Sequence, residues 1–243
     1  MKIVAADWLP YRLPFKQPWQ TAHGLLNERE GALLRLQTDD GLTGWGDAAP
    51  LPEFGISEAS ARDFAEECAK LDLAAQRTGV NLANWLSCEP APESVTVNAV
   101  LGSIFSLKPD AIGNAVAAGF KILKLKVGLQ PVAEEIRQLQ ILSSALPPGI
   151  RWRLDANAAW SAVDAHTFIC AVRQLPVEGL EEALREPSHH GLRELQALAP
   201  FPLAIDESTH LLDQNFWLAP PVQRLVIKPA RCGGLLASIE LAL

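Results

Sequence analysis

The chain has 243 residues, 49% of them hydrophobic and 20% charged, a balance that supports a sizeable buried core and excludes a disordered or fibrous polypeptide. Its 21 basic and 28 acidic side chains leave a net charge of −7, and no run of like charge is long enough for an interaction tail, which argues against a nucleic-acid partner. Asp7, Pro10 and Arg12 interrupt the N-terminal segment before a signal core can form, and no stretch is apolar for long enough to cross a bilayer.

Residues 1–92 read as a small α+β domain. Gly31–Gln37 and Leu42–Asp47 are extended segments on either side of Thr38-Asp39-Asp40-Gly41, where Asp-Gly signals an antiparallel hairpin. After the Pro50–Gly55 turn, Ser57 caps a helix with Glu58 in its first turn, and alanines and leucines carry it towards Leu73. The four cysteines, Cys68, Cys88, Cys170 and Cys232, are widely spaced and form no Cys-x-x-Cys pair, so free thiols in a reducing cytoplasm are expected.

From residue 93 onward short apolar runs alternate with helical stretches, the pattern of βαβ units on a parallel sheet. Strands are predicted at Val95–Ala99, Lys121–Val127, Arg151–Asp155, Gly179–Glu182, Leu203–Asp206 and Leu225–Lys228. Helices are predicted near Pro109–Ala118, Pro131–Ala145, Ala162–Leu175, Leu192–Leu198, Asp213–Leu218 and Leu235–Leu243. No Gly-x-Gly-x-x-Gly turn follows the first strand, so a modified TIM-type (β/α) barrel is favoured over a doubly wound dinucleotide fold. Only one helical segment follows Lys228. The barrel is therefore expected to stop after about six βα units, as a fragment or with its remaining wall supplied from elsewhere.

Ionisable residues recur near the carboxyl ends of these strands: Lys124 and Lys126, then Asp155, Glu181, Asp206 and Lys228. That end of a barrel sheet is where active sites are built. Lys124 and Lys126 share one strand face, and Leu125 between them points oppositely, towards the helices. Two ammonium groups entering the barrel mouth together call for carboxylates or an anionic substrate opposite them. Asp155, Glu181 and Asp206 are separated by 26 and 25 residues, one βα unit each, which brings a carboxylate to each of three consecutive strands. Converging acids repel unless a cation lies among them, and Mg²⁺ suits a set of hard oxygen ligands with positions left for water and substrate. Taken singly, an acid at a strand end is more often a helix cap or a surface ion pair. The ordered set points to chemistry.

Lys124-Leu125-Lys126-Val127-Gly128, Leu154-Asp155-Ala156-Asn157, Leu180-Glu181-Glu182, Ile205-Asp206-Glu207-Ser208 and Ile227-Lys228-Pro229 through Gly233-Gly234 occur in the order of the active-site motifs of the enolase superfamily's muconate-lactonizing subgroup. With Gly44–Pro52 and Arg151–Asp155 added, the whole chain resembles the o-succinylbenzoate synthases of that superfamily. The resemblance implies an α+β capping domain on a modified barrel, with Asp155, Glu181 and Asp206 binding Mg²⁺, Mn²⁺ being an open substitute. It implies a small-molecule carboxylate substrate and an Mg²⁺-dependent dehydration to o-succinylbenzoate in menaquinone biosynthesis. By it, Lys126 removes the α-proton and protonates the departing hydroxyl, Lys228 stabilises the intermediate from the other side, and Lys124 and Glu207 support them. Glu182 and Glu186 remain alternatives to Glu181 as ligand, because this chain has Glu181-Glu182-Ala183 where the family commonly has Glu-x-Pro. A dipeptide epimerase or N-acylamino-acid racemase of the same superfamily, a Schiff-base aldolase and a non-catalytic remnant are the competing readings. Trp19, Thr21 and His23 fall where the family's capping loops close over substrate, His23 as an exposed loop residue. The pair His189-His190 reads as a loop and not as a zinc site.

Overall fold

The computed structural model describes residues 2–21, 24–87, 90–208 and 211–243, and the chain divides into two compact units. One unit contains the residues up to Val95 together with Ile227–Leu243, and the other is Thr96–Val226. His23 lies outside the described residues, as do the side chains of Trp19 and Thr21.

In the first unit, strands β1 (Ile3–Thr21), β2 (Gly24–Thr38) and β3 (Thr43–Ala48) form an antiparallel sheet in the order β1-β2-β3. Strand β1 tolerates Pro10 and Pro14 because it is an edge strand, where a missing N–H costs little, and its register slips between Pro14 and Trp19. The Asp-Gly hairpin forms as expected, with Gly41 at φ 88° and the Thr38 hydroxyl accepting the Leu42 N–H at 3.0 Å. Helix α1 (Glu58–Thr78) starts where Ser57 accepts the Ser60 N–H at 3.1 Å and stops at Gly79, φ 73°. It buries Ala61, Ala65, Ala69 and Leu73 against Leu34, Leu36 and Ala48. The approach is close enough that a Cβ on Gly44 or Gly46 would collide with the Ala69 or Ala65 carbonyl oxygen, which accounts for both glycines around Trp45. A short helix α2 (Leu82–Leu86), which the sequence pattern did not announce, is capped by Asn81.

In the second unit, β4 (Ala99–Ser103), β5 (Ile122–Lys126), β6 (Arg151–Asp155), β7 (Val177–Glu181), β8 (Leu203–Ile205) and β9 (Arg224–Leu225) form a parallel sheet in sequential order. Helices α3 (Ala111–Ala117), α4 (Val132–Ser144), α5 (Ala162–Val172), α6 (His189–Leu198) and α7 (Gln214–Leu218) alternate with the strands. Among the described residues, β4 and β9 are the two edges of this sheet. The expected α+β portion followed by an alternating six-stranded parallel sheet with helices is therefore the fold observed. Leu123, Leu125, Trp152, Leu154 and Leu180 are fully buried with Leu139 of α4 and Phe168 and Ile169 of α5. Each such side chain contributes roughly 1.5–3 kcal/mol relative to exposure. The remaining helix α8 (Leu235–Ala242) belongs to the first unit, and Glu67 of α1 accepts the N–H groups of Leu235 and Leu236 at its start.

Three differences from the sequence reading bear on the charged residues and the histidine pair. Strand β4 begins at Ala99, because Ala99 and Val100 are the residues that pair with Leu123 and Lys124, while Val95 and Val97 stay exposed. Strand β9 ends at Leu225, so Lys228 lies past the strand in a turn, where its carbonyl accepts the N–H groups of Arg231 at 2.8 Å and Cys232 at 3.0 Å. His189 and His190 form the first turn of α6 and not a loop, because Ser188 accepts the Gly191 N–H at 3.1 Å and caps the helix ahead of them.

Candidate active site

The ladder sets the relative height of the charged residues. Lys126 on β5 pairs with Asp155 on β6, and Asp155 pairs with Glu181 on β7, so all three sit at one level at the carboxyl ends of adjacent parallel strands. Glu181 pairs with Ala204 on β8, and Asp206 follows directly after the end of that strand. Asp155, Glu181 and Asp206 are 6%, 4% and 4% exposed. Burying carboxylates this deeply is costly unless something neutralises them.

Lys124 supplies part of that charge. Its Nζ lies 2.9 Å from Asp155 Oδ2 and also pairs with Glu181 Oε2. Burial disfavours charge on Lys124, yet the two carboxylates outweigh it and hold its pKa above the ordinary lysine value. Burial pushes the Glu181 carboxyl up, and Lys124 offsets part of that push. Lys126 stands one step further along the same strand face, half-buried. Lys228 belongs to the other compact unit.

Glu182 and Glu186 separate cleanly from Glu181. The Glu182 carboxylate accepts the backbone N–H groups of Asp206 at 2.7 Å and Ser208 at 3.1 Å as well as the Ser208 hydroxyl, so its lone pairs are already engaged. Glu186 is exposed in the loop before α6. Glu207 accepts from Asn157 Nδ2 at 3.2 Å, joining the loops that follow β6 and β8.

Several contributors gave little sequence signal. Below the acids, Glu178 accepts from Arg153 Nε at 2.9 Å and from Arg224 Nη2 at 2.6 Å, and Arg153 Nε lies 3.9 Å from Glu181 Oε1. Burial opposes charge on Glu178, but the two guanidinium groups win and bring its pKa down to about 2. Glu135 of α4, fully buried, accepts the N–H groups of Gly128 and Leu129 at 2.8 Å and of Gln130 at 3.2 Å, fixing the loop that leaves Lys126. Non-glycine residues with positive φ, among the described residues, are Asn157, Ala158 and Glu182, all in the segments immediately after Asp155 and Glu181. Left-handed backbone of this kind costs about 1–3 kcal/mol per residue and tends to gather at functional sites.

Among the described residues no three His, Cys, Asp or Glu side chains stand as a ready-made cation cage, since Asp155 and Glu181 close on the Lys124 ammonium instead. The donor chemistry nevertheless fits a hard cation: three buried carboxylates lie at or just past the ends of three neighbouring strands, and two of them already grip a positive charge. Withdrawal of the Lys124 ammonium leaves those oxygens for an ion that prefers carboxylate ligands.

Residues 110–243, more than half of the chain, match the family described as enolase C-terminal domain-like. The o-succinylbenzoate synthase of Thermosynechococcus vestitus (strain NIES-2133 / IAM M-273 / BP-1) is 31% identical over 83% of this chain and 68% of its own length. That of Yersinia pseudotuberculosis serotype I (strain IP32953) is 28% identical over 93% of this chain and 73% of its own. Among solved structures, a dipeptide epimerase from Enterococcus faecalis V583 complexed with Mg and the dipeptide L-Leu-L-Tyr superposes with a TM-score of 0.86 at 22% identity, covering 99% of this chain and 78% of that one. The ordered strand-end motifs, the fold that carries them and these matches lead to one placement: the chain belongs to the enolase superfamily, in the group that contains the o-succinylbenzoate synthases.

Proposed function

We propose that this protein is a hydro-lyase that converts a hydrated cyclic carboxylate to o-succinylbenzoate with Mg²⁺ as cofactor. The observation that carries the proposal is the register of the sheet: Lys126, Asp155 and Glu181 are direct ladder partners on three adjacent strands, with Asp206 immediately after the next. Asp155, Glu181 and Asp206 would hold the ion. When bound, it stabilises the negative charge that develops on the substrate carboxylate as the α-proton leaves.

Lys126 Nζ takes the α-proton and returns it to the departing hydroxyl, so one amine serves as base and then as acid. By the family resemblance, Lys228 would favour the anionic intermediate. Lys124 keeps Asp155 and Glu181 from repelling one another before the ion arrives. The curated relatives named o-succinylbenzoate synthase support this choice of reaction over the dipeptide epimerase chemistry of the structural neighbour, whose likeness, at 22% identity, speaks to fold alone.

The test is to incubate the purified protein with the hydrated cyclic precursor and follow the absorbance of the aromatic product, with Mg²⁺, after chelation, and after Mg²⁺ is restored. Product formation that disappears on chelation and returns with Mg²⁺ is expected. No product, combined with inversion and deuterium uptake on dipeptides in deuterium oxide, would replace the proposal with an epimerase.

A further inference from the structure

Glu182 is 2% exposed and sits at φ 44°, a conformation that a glutamate adopts only when its surroundings hold it there. Its backbone N–H donates to the Ala204 carbonyl at 2.9 Å, and its own carbonyl accepts the Ala158 N–H at 2.8 Å. It is thus tied to the segments following β6 and to β8 at once. Its carboxylate spends both oxygens on one short stretch: Oε2 accepts the Asp206 and Ser208 N–H groups, and Oε1 accepts the Ser208 hydroxyl. A buried carboxylate taking two amide N–H groups and a hydroxyl is a strong, directional grip.

We infer that Glu182 is a positioning residue for Asp206: its carboxylate sets the backbone from which the third metal-binding carboxylate projects. This rests on the metal role given to Asp206 under the proposed function. Strand β8 ends at Ile205, and at the next residue the Asp206 N–H is held by the Glu182 carboxylate at 2.7 Å. The left-handed turn at Glu182 has a corresponding purpose, since it sends the side chain after Glu181 towards β8. Neighbouring glutamates thereby do separate jobs, Glu181 as ligand and Glu182 as support.

The experiment compares Glu182→Leu, which removes the acceptors and the charge, with Glu182→Gln, which removes the charge and keeps one carbonyl acceptor for the two backbone N–H groups while an amide NH2 faces the Ser208 hydroxyl. Two readouts are taken on the full chain: hydrogen exchange of the Asp206 and Ser208 amides without metal, and Mg²⁺ affinity by titration calorimetry. Glu182→Leu is expected to speed exchange at both amides at least about tenfold and to weaken Mg²⁺ binding about 10- to 100-fold, as loss of an outer partner does. Glu182→Gln is expected to retain most of the protection and to stay within a few-fold of the original affinity. Where Glu182→Leu fails to fold, Ser208→Ala, which removes the hydroxyl donor alone, is expected to give a smaller loss in the same direction.

Unchanged amide exchange in folded Glu182→Leu overturns the inference. So does a Gln variant as impaired as the Leu one, because charge and not the grip would then be what matters. If the unsubstituted chain takes up no Mg²⁺, the metal reading of the proposed function falls, while the exchange rates still decide whether Glu182 holds Asp206.

Discussion

Lys124 and Asp155, ladder neighbours once removed on β5 and β6, meet through an ammonium–carboxylate contact of 2.9 Å, with Glu181 as the second acceptor of the same ammonium. The pair makes Lys124 an internal counter-ion occupying the charge role that a divalent cation would take. Replacing Lys124 with methionine leaves two buried carboxylates facing each other, which costs on the order of a few kcal/mol and lowers Tm by about 5 °C or more. Mg²⁺ should then raise Tm by more in the variant than in the parent protein. Thermal unfolding in EDTA and in excess Mg²⁺ measures both shifts, and equal Mg²⁺ responses would show that Lys124 carries no such role.

Lys126 makes none of the buried ion pairs that Lys124 makes, so its removal separates chemistry from folding. Lys126→Ala is expected to lower turnover by about 10²- to 10⁴-fold while Mg²⁺ affinity and Tm change little. Steady-state kinetics beside calorimetric Mg²⁺ titration check the split. A variant with near-normal turnover would exclude Lys126 as the base.

The sequence made these residues legible because strand-end acids and lysines recur at the βα repeat length and because the period of a strand puts Lys124 and Lys126 on one face. The buried partners Leu123 and Leu125, fully covered on the opposite face, follow from the same alternation. Glu178 escaped notice because it sits at the register shift between the Trp152 and Arg153 pairs, where simple alternation no longer says which way a side chain points. Glu135 escaped because a glutamate in the first turn of a helix ordinarily favours the helix dipole from the surface, whereas here it turns inward to a loop. The end of β9 was overrun because Val226 and Ile227 continue the apolar run past the last ladder pair, that of Ile205 with Leu225. Local pattern reports apolar character; it does not report where a partner strand stops.

Glu178 gives the fold a specific acid sensitivity. Its pKa falls from 4.5 to about 2 beside Arg153 and Arg224, so the unfolded chain binds its proton more readily than the folded one. The resulting stability is present above the unfolded value and is lost as pH drops from about 4.5 towards 2. Urea unfolding between those limits should show a steeper loss for the parent protein than for Glu178→Gln, which is less stable near neutrality but flatter with pH. Parallel curves would mean that Glu178 is not the responsible group.

Glu135 ties the loop that follows β5 to helix α4. Removing its carboxylate in Glu135→Ala strands the N–H groups of Gly128, Leu129 and Gln130 and opens a void beside α4, a combined cost of about 3 kcal/mol or more. Gly128 cannot compensate by taking on a side chain, since at φ 79° an added Cβ would lie 2.5 Å from Ala159 Cβ and 2.8 Å from the Ala156 carbonyl oxygen. Because Gly128 is two residues from Lys126, loosening this loop should lower turnover beyond what the fraction of folded protein explains, while Mg²⁺ affinity, set by β6 to β8, holds. Kinetics normalised to folded protein, with amide exchange at residues 128–130, measure both effects. Faster exchange at full turnover would separate the loop from the placement of Lys126 and leave Glu135 a purely structural residue.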